Sequence, residues 1–472
     1  MKQASQSVFG RMPLLPAERE YSTLGANTTC FAYGVATWCF LTGGYVAELV
    51  GAVEGLICLV AGNMIGVLLA SLPLSFICQR NGLEQIDACK PAFGSRGIIL
   101  VLFLYLVNML GWSGLILVMF GNGLRNIARA LGFEAGDWVV GGGVALGIVL
   151  SYLMVSRGVG LLNRFNGIIA PGLVLLVIFL FYMLFDGHGW KAISEAPPLA
   201  PGPSPFTNYL IAVELGIASG FSWWGGIGFL ARNTRTQRNA IYPEVIQLGL
   251  VSGAVCAAGT FSALVVQSSD PTEWMVPLGG LVMGIIALVF VALANVTSTA
   301  ISVYASGLAL RHLPVFRNTA WKWIVCATLV PCLPFIFWPA QLSSLGDAFL
   351  AYNGTMYAPI SGILLIDYFF LRRQQISLWS IFEDGENGRY HHVRGINWVA
   401  LVSLLAGQVF YVFLYNPITG EVHDWLRYIN PSLGGFCVSG ALYAVGMLWI
   451  GHGRRPEPVP PSETLDLIVP NI

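Results

Sequence analysis

Twelve apolar segments, each long enough to cross a lipid bilayer, restrict the fold of this chain more than any other feature. A transmembrane helix needs about 20 predominantly apolar residues. The segments, numbered here as spans one to twelve, lie near residues 25–49, 53–78, 97–123, 138–156, 166–186, 208–230, 243–267, 277–307, 321–338, 343–370, 396–415 and 432–451. They are too long for barrel strands and do not alternate apolar with polar residues. The sequence therefore predicts an all-α integral membrane protein with twelve transmembrane helices.

The positive charges predict how these spans are oriented. With the N-terminus inside, 20 of the 24 Lys and Arg residues fall in the N-terminal segment, in every second loop or in the C-terminal tail. The other four are Arg125, Arg129, Lys191 and Arg427. Because cytoplasmic loops carry an excess of Lys and Arg, we expect a multi-pass protein of the inner or plasma membrane with both termini in the cytoplasm. The formal net charge of zero gives no indication of a nucleic-acid partner.

The composition also argues against several kinds of chemistry. Only 10% of the 472 residues are charged, whereas a soluble domain has about 25%. All six histidines fall in loops or at span ends, so no His/Glu cluster with metal-ligand spacing lies at membrane depth. We therefore expect no enzyme, no catalytic residues, no cofactor and no metal site beyond one for a coupling cation. The nine cysteines are scattered, and we interpret them as reduced, space-filling residues.

Two spans contain residues that weaken helices in the middle of the membrane. Span one holds "FAYGVATWCFLTGG" (31–44), and span six holds "GIASGFSWWGGIGFL" (216–230). Span six comes five helices after span one, as two inverted five-helix repeats would require. Paired Gly-interrupted segments of this kind indicate the solute site of a transporter, because a broken helix exposes backbone groups. The alternative is that the glycines only allow helices to pack closely.

Span eight offers a second polar region at membrane depth. "ALANVTSTAISVYASG" (292–307) contains Asn295 followed by Thr297, Ser298 and Thr299. Hydroxyls beside a broken helix could replace the water shell of Na⁺. Such hydroxyls also commonly bond back to the carbonyl one turn earlier. The spacing alone leaves both interpretations open.

Longer motifs give a family resemblance. The chain resembles the nucleobase–cation symporters through "GLEQIDACKPAFGSRG" (82–97), "GWSG" (111–114), "APISGILLIDYFFLRR" (358–373) and "GINWVA" (395–400). The resemblance implies a LeuT-type fold with spans one and six broken. Its expected parts are a cytoplasmic segment 1–24, a first repeat 25–186, a second inverted repeat 208–370, two additional helices 396–451 and a cytoplasmic tail 452–472.

The resemblance also implies which residues bind cation and solute. The expected Na⁺ ligands are the carbonyls of Ala32, Val35 and Ala294 and the hydroxyls of Thr297 and Ser298. The expected solute-binding residues are Trp112, Ala36, Thr37, Phe221, Trp223, Trp224 and Asn295, with the aromatic position in span six uncertain by one or two residues. Two departures change the polar edge of the site: Ile116 stands where hydantoin transporters have Gln, and Ala36 stands at the solute-contacting position of span one.

The function implied is secondary active symport by alternating access. The chain would import a purine, pyrimidine, hydantoin or allantoin type of heterocycle with Na⁺ or H⁺, with membrane lipid as its surroundings and a monomer sufficient for transport. One alternative is a symporter of the same fold for an amino acid or another small organic solute such as a vitamin precursor. A channel, a non-transporting receptor and a membrane enzyme are further alternatives.

Overall fold

The computed structural model describes residues 12–157, 160–383 and 388–450. Residues 1–11 of the predicted N-terminal segment, 1–24, and the predicted tail, 452–472, lie outside these ranges. Regular structure within them is helical, accompanied by three isolated β-bridges. The helical prediction is confirmed.

All twelve predicted spans are present. Eight helices are long and apolar enough to cross a membrane alone, two bent helix pairs qualify together, and two shorter apolar helices complete the set within the described residues. The spans are, in order, Thr23–Gly34 with Thr37–Leu49, Ala52–Asn81, Ile98–Ala130, Asp137–Val155, Gly160–Gly187, Pro205–Arg232, Gln237–Val266, Met275–Leu310, Trp321–Phe337, Gly346–Leu371, Trp398–Leu414 and Pro431–Trp449. Span five is followed by a helix at 94° to it, Gly189–Glu195.

Successive spans run in opposite directions, so the loops alternate between two sides. We call the side with residues 12–22 and the loops 82–97, 233–236, 311–320 and 372–397 the proximal side. The distal side carries the loops 131–136, 196–204, 267–274 and 415–430. Apolar side chains such as Phe103, Leu175 and Val409 are exposed on the outside of the bundle. Such exposure fits a surface in contact with lipid rather than water.

Two large apolar clusters fill the interior. The proximal core includes Phe93, Trp224 and Tyr357, and the distal core includes Phe40 and Trp112. Trp38 is half-buried and packs against both cores. The break in span one, just before Trp38, therefore lies where the two cores meet.

Glycines let the second half of span one approach span seven closely. A methyl group added at Gly43 would collide with the carbonyl oxygen of Cys256, and one added at Gly44 would collide with that of Ser269. The Thr260 hydroxyl also donates to the Gly43 carbonyl, at 2.9 Å. These two glycines are helical, so they serve close packing and not the interruption of the helix.

Candidate functional site

Span one is interrupted at two residues. Val35 and Ala36 have non-helical backbone angles, with φ −93° and ψ 87° at Val35 and φ −133° and ψ 158° at Ala36. The helices on either side are bent by 51°. Among the described backbone hydrogen bonds, none ends on the carbonyl of Ala32 or Val35. The break thus leaves main-chain oxygens available for a ligand in the middle of the span.

Span eight lies directly against this break. The Thr37 hydroxyl donates a hydrogen bond to the amide oxygen of Asn295. Asn295 is buried, and its Nδ2 has no partner among the described residues. Ala294 and Thr297 are neighbours of Asn295 in the same helix, so the predicted cation ligands of span eight lie within one helical turn of the residue that contacts the break. The Asn295 Nδ2 group is a donor without an acceptor, and a carbonyl oxygen of a solute could accept its hydrogen bond.

The hydroxyl of Thr297 also bonds within its own helix. It donates to the Ala294 carbonyl at 2.8 Å, as expected for a hydroxyl in a span. This bond uses the hydroxyl hydrogen and leaves the oxygen lone pairs for a cation. Ser298 is half-buried, whereas the side chain of Ala32 is exposed.

Five aromatic residues form a continuous row beside the break, which we call the aromatic row. In order they are Phe349, Trp112, Trp38, Trp223 and Tyr33. The Trp38 ring centroid lies 5.1 Å from that of Trp112 and 4.5 Å from that of Trp223. The row therefore joins the middle of span three to the middle of span six.

Only one of the three aromatic candidates in span six belongs to this row. Trp223 is a single turn residue between Pro205–Ser222 and Trp224–Arg232, and its backbone angles are helical, with φ −65° and ψ −15°. The two helices continue across it as one span, Pro205–Arg232, so the break predicted for span six is not seen. Trp224 is instead fully buried and stacks on Tyr357, with centroids 4.9 Å apart and planes at 15°. Phe221 packs towards Phe436 of span twelve. Trp223 is thus the span-six aromatic that is linked to Trp112, through Trp38, beside the break in span one.

The indole of Trp112 is held by an amide from span ten. Its Nε1 donates to the Asn353 side-chain oxygen at 3.3 Å, and the Asn108 amide donates to the same oxygen. Asn353 is fixed in turn, because its own Nδ2 donates to the Phe349 carbonyl at 2.7 Å. Ile116, the departure from the hydantoin transporters, is buried.

The sequence interpretation missed Trp38, Asn108 and Asn353. Asn108 lies one helical turn before Trp112, so a helical projection could have found it. Asn353 is a buried amide within span ten, and the sequence of that span does show it. Trp38 reads as an ordinary aromatic, and only the tertiary contacts distinguish it.

A cavity of about 430 Å³ opens on the distal side, above the row. Its lining includes Glu48 of span one, Asn122 and Arg125 of span three, and Asp347 of span ten. Asn122 lies ten residues beyond Trp112 in the same helix, which corresponds to about 15 Å. The cavity is therefore a polar vestibule that lies between the aromatic row and the distal side.

Glu48 and Glu214 lie towards the distal ends of spans one and six and have different surroundings. Glu48 lines the distal cavity. Glu214 is buried and accepts hydrogen bonds from the backbone N–H and the hydroxyl of Ser432, at 3.1 and 2.5 Å. Ser432 is in the first turn of span twelve, where backbone N–H groups favour an anion. Glu214 thus links span six to span twelve.

One acidic and histidine cluster lies on the proximal side, away from the row. Glu84, Asp87 and His312 approach one another there, and Lys90 Nζ lies 3.1 Å from Asp87. His312 Nε2 lies 3.3 Å from Asp87 and 3.5 Å from Glu84. Burial alone would raise the pKa of Asp87, but the His312 imidazole and the Lys90 ammonium hold it below its usual range. The ammonium makes this an ion-pair cluster joining the loop 82–97 to the end of span eight.

Comparisons with known proteins agree with this arrangement. A family model described as a permease for cytosine/purines, uracil, thiamine and allantoin matches residues 22–441. The hydantoin permease of Microbacterium maritypicum is 24% identical, over 82% of this chain and 81% of that protein. The purine-uracil permease of Arabidopsis thaliana is 22% identical, over 93% of this chain and 77% of that protein.

The fold is that of a solved transporter structure. The inward-facing conformation of Mhp1 superposes with a TM-score of 0.81 at 20% identity, covering 98% of each chain. A closed conformation of Mhp1 with bromovinylhydantoin bound gives a TM-score of 0.74 at 22% identity, covering 94% of this chain and 95% of that one. The fold is therefore LeuT-type, as the sequence predicts, and the chain is a multi-pass membrane protein. The family match over nearly the whole chain shows that it is a permease, not an enzyme, and that it belongs to the nucleobase–cation symporter family.

Proposed function

We propose that this chain imports a planar heterocycle of the purine, pyrimidine, hydantoin or allantoin type together with Na⁺. The observation that carries the proposal is the break in span one, with span eight on one side and the aromatic row on the other. Unpaired main-chain oxygens and aromatic faces then lie within one small region. A change in the backbone at the break would therefore alter the cation site and the solute site together.

The solute stacks on Trp112 and Trp223, whose rings are buried. A stacked base on an aromatic side chain contributes about 1–3 kcal/mol in nucleic-acid complexes. The free Nδ2 of Asn295 donates to a ring carbonyl, and Thr37 holds the other end of that amide. Phe221 and Trp224 are not included, because their rings pack into the protein interior.

The cation is bound between spans one and eight. Its ligands are the carbonyls of Ala32, Val35 and Ala294 and the hydroxyls of Thr297 and Ser298. Neutral oxygens in this number suit Na⁺, and no buried carboxylate of the described residues belongs to the set. Cation binding favours the conformation in which these two spans are close, and it can drive transport only through that difference in affinity.

The remaining features of the proposal follow from the sequence. The repeats are 25–186 and 208–370, the proximal side faces the cytoplasm, and one monomer in lipid is sufficient for transport. The distal vestibule is then the entrance from outside. Its mixed acidic and basic lining suits a neutral or zwitterionic solute better than a strongly charged one.

A thermal-shift panel on the purified protein tests the proposal. Uracil, adenine, hydantoin and allantoin are each added in NaCl and in KCl. At least one should raise the unfolding midpoint, and more in NaCl, because ligands that bind only the folded state stabilise it by mass action. L-Phenylalanine and a thiamine precursor serve as the alternative solutes.

The outcomes separate the candidates. A response only to L-phenylalanine or the precursor would replace the heterocycle by the alternative solute class. An equal response in NaCl and KCl would remove Na⁺, and an acid-dependent response would assign the coupling to H⁺. Uptake into proteoliposomes that fails to saturate would indicate a channel.

A further inference from the structure

We propose that Trp38 is a displaceable occupant of the solute site. Its indole fills the space between Trp112 and Trp223, and a bound solute takes that space by moving Trp38 aside. The inference rests on the proposed solute site and adds a residue that sets its affinity. Trp38 would act as a specificity-determining residue and not as a stacking partner.

The ring positions carry the first step. Trp38 contacts both Trp112 and Trp223, at centroid distances of 5.1 and 4.5 Å. Within the described residues, no ring contact joins Trp112 and Trp223 directly. The two buried indoles are therefore linked through the Trp38 ring. A flat solute that stacks on both indoles would need the place that this ring occupies.

The tilt of Trp38 carries the second step. Its plane makes angles of 54° with Trp112 and 59° with Trp223. Aromatic pairs prefer offset-stacked or edge-to-face geometry, and Trp38 has neither with these partners. By contrast, Trp224 stacks on Tyr357 at 15°, and Phe349 meets Trp112 edge-on at 77°. A free planar solute can lie parallel to an indole face, whereas Trp38 is constrained by its backbone.

The attachment of Trp38 carries the third step. The Trp112 indole is fixed by its hydrogen bond to Asn353, but no side-chain hydrogen bond of Trp38 occurs among the described residues. Trp38 is half-buried and is the second residue after the break in span one. The Nε1 of Trp223 has no partner among the described residues either, but Trp223 is buried. Trp38 is thus the one indole of the three that is neither hydrogen-bonded through its side chain nor fully buried.

Competition for one space has a measurable consequence. The apparent dissociation constant of a solute rises when its site is free for only a fraction of the time. Removing the Trp38 indole should therefore tighten solute binding, while removing Trp112 should weaken it. A stacking partner would behave like Trp112.

Isothermal titration of the full chain in detergent tests the inference. The titrants are uracil, adenine, hydantoin and allantoin, against wild type, Trp38→Ala, Trp38→Phe and Trp112→Ala. We expect Kd to fall about 5-fold or more in Trp38→Ala, with a smaller fall in Trp38→Phe because a smaller ring competes less. Trp379→Ala, at an exposed indole on the proximal side, is the matched control and should leave Kd unchanged.

Fluorine NMR adds a readout that does not depend on the alanine variant. In protein labelled with 5-fluorotryptophan, the Trp38 signal is identified by its loss in Trp38→Phe. Saturation with the tightest-binding of the four titrants should move this signal, because Trp38 leaves the neighbouring rings. A Trp38 signal that stays in place while the Trp112 signal moves would overturn the inference.

The failures of the two proposals are distinguishable. If a titrant binds wild type and its Kd is unchanged or higher in Trp38→Ala, the occupant role is wrong and the solute site stands. If a titrant binds only after Trp38 is removed, the inference is supported. If none of the four binds any variant, the proposed function fails and the inference fails with it.

Discussion

At the residue scale, Trp112 is oriented before any solute arrives. Phe349 packs edge-on against it, Trp38 covers part of it, and Asn353 accepts its N–H. A side chain fixed by its neighbours loses little further freedom when a ligand binds. Trp112 is therefore the natural anchor for a stacked solute.

Trp112→Ala should weaken solute binding about 10-fold to 100-fold, the loss of one stacking face. Titration with the tightest-binding heterocycle of the thermal-shift panel measures it. Trp112→Phe keeps an aromatic face and should lose less. Equal affinity in wild type and Trp112→Ala would exclude this indole from the site.

Thr297→Ala should abolish most of the difference between NaCl and KCl in the thermal-shift panel. The hydroxyl oxygen is one of few neutral ligands proposed for the cation, and alanine leaves none in its place. Thr297→Ser retains the hydroxyl and should keep the Na⁺ response. Ser302→Ala, one turn further along span eight, is the control. A normal Na⁺ response in Thr297→Ala would contradict the span-eight cation site.

Only part of the candidate site could be predicted from the sequence, for physical reasons. Trp112 and Thr37 could be named from the family resemblance, and Asn295 because it is an amide within a span. Asn353 could have been noticed in the same way, as an amide within span ten. Trp38 could not, since its significance arises from contacts with residues far away in the sequence. The span-six aromatic could not be chosen either, because adjacent residues of a helix point about 100° apart. Trp223 and Trp224 therefore have different surroundings.

At the element scale, span one combines an interruption of the helix with a second half that is tightly packed. The sequence predicts an interruption from its many poor helix formers, but the break occurs only at Val35 and Ala36. Gly43 and Gly44 are helical and pack on the backbone around Cys256 and Ser269. Composition reveals that a span is unusual, whereas the neighbouring span decides which glycines pack and which bend.

Gly43→Ala should lower the unfolding midpoint by several degrees. The new methyl group meets backbone of span seven, which cannot rotate away, and overpacking typically costs about 1–3 kcal/mol. Gly142→Ala is the matched control, because nothing lies within 4 Å of a Cβ at that helical glycine. The control should be neutral or slightly stabilising. Equal midpoints for the two variants would contradict the close approach.

The loop 82–97 connects several elements on the proximal side. Gln85 donates to the Gly225 carbonyl of span six at 2.9 Å, and Asp87 faces His312 after span eight. Lys90 donates to the Ile381 carbonyl at 2.8 Å. This loop therefore ties the second part of span six to the end of the helix that carries the proposed cation site.

Asp87→Asn should lower the free energy of unfolding at neutral pH. As the pH falls, this variant should lose less stability than wild type does. A carboxylate whose pKa is lower in the folded state adds stability above its unfolded pKa of about 3.9, and that stability disappears as the pH falls towards the folded value. Breaking a buried ion pair costs about 3–5 kcal/mol. Unfolding midpoints between pH 2 and 8 measure both effects, because the stabilisation by Asp87 is lost only below about pH 3.9.

Glu84→Gln is the matched comparison with the opposite sign. Burial raises the pKa of Glu84, so its ionisation costs stability as the pH rises above about 4.3. The stability of Glu84→Gln relative to wild type should therefore increase as the pH rises. Parallel pH profiles for both variants and wild type would show that the cluster does not titrate with folding.

At the scale of the whole molecule, the twelve spans follow from the sequence with boundaries close to those of the structure. Their signal is local, since each span needs only a sufficient apolar length. The meeting of two cores at Trp38 and the distal vestibule are not local and could not be predicted. They depend on how spans far apart in the chain pack together.

The orientation is testable by reporter fusions. Because 20 of the 24 positive residues lie on one side of the predicted topology, a green fluorescent protein at the C-terminus should fluoresce, and a periplasmic phosphatase there should be inactive. Fusions in the distal loop 415–430 should show the reverse. An active phosphatase at the C-terminus would invert the proposed direction of transport.

Both halves of span one are packed on the backbone of span seven, on either side of the break. The second half meets it at Gly43, where an added methyl group would collide with the Cys256 carbonyl oxygen, and the first half meets it at Gly34, where the collision would be with the Gln247 carbonyl oxygen. The two halves are joined to each other through Val35 and Ala36. We expect that an opening towards the proximal side bends span one at these two residues and moves the part of span seven around Gln247 with the first half, while the second half stays beside the distal vestibule.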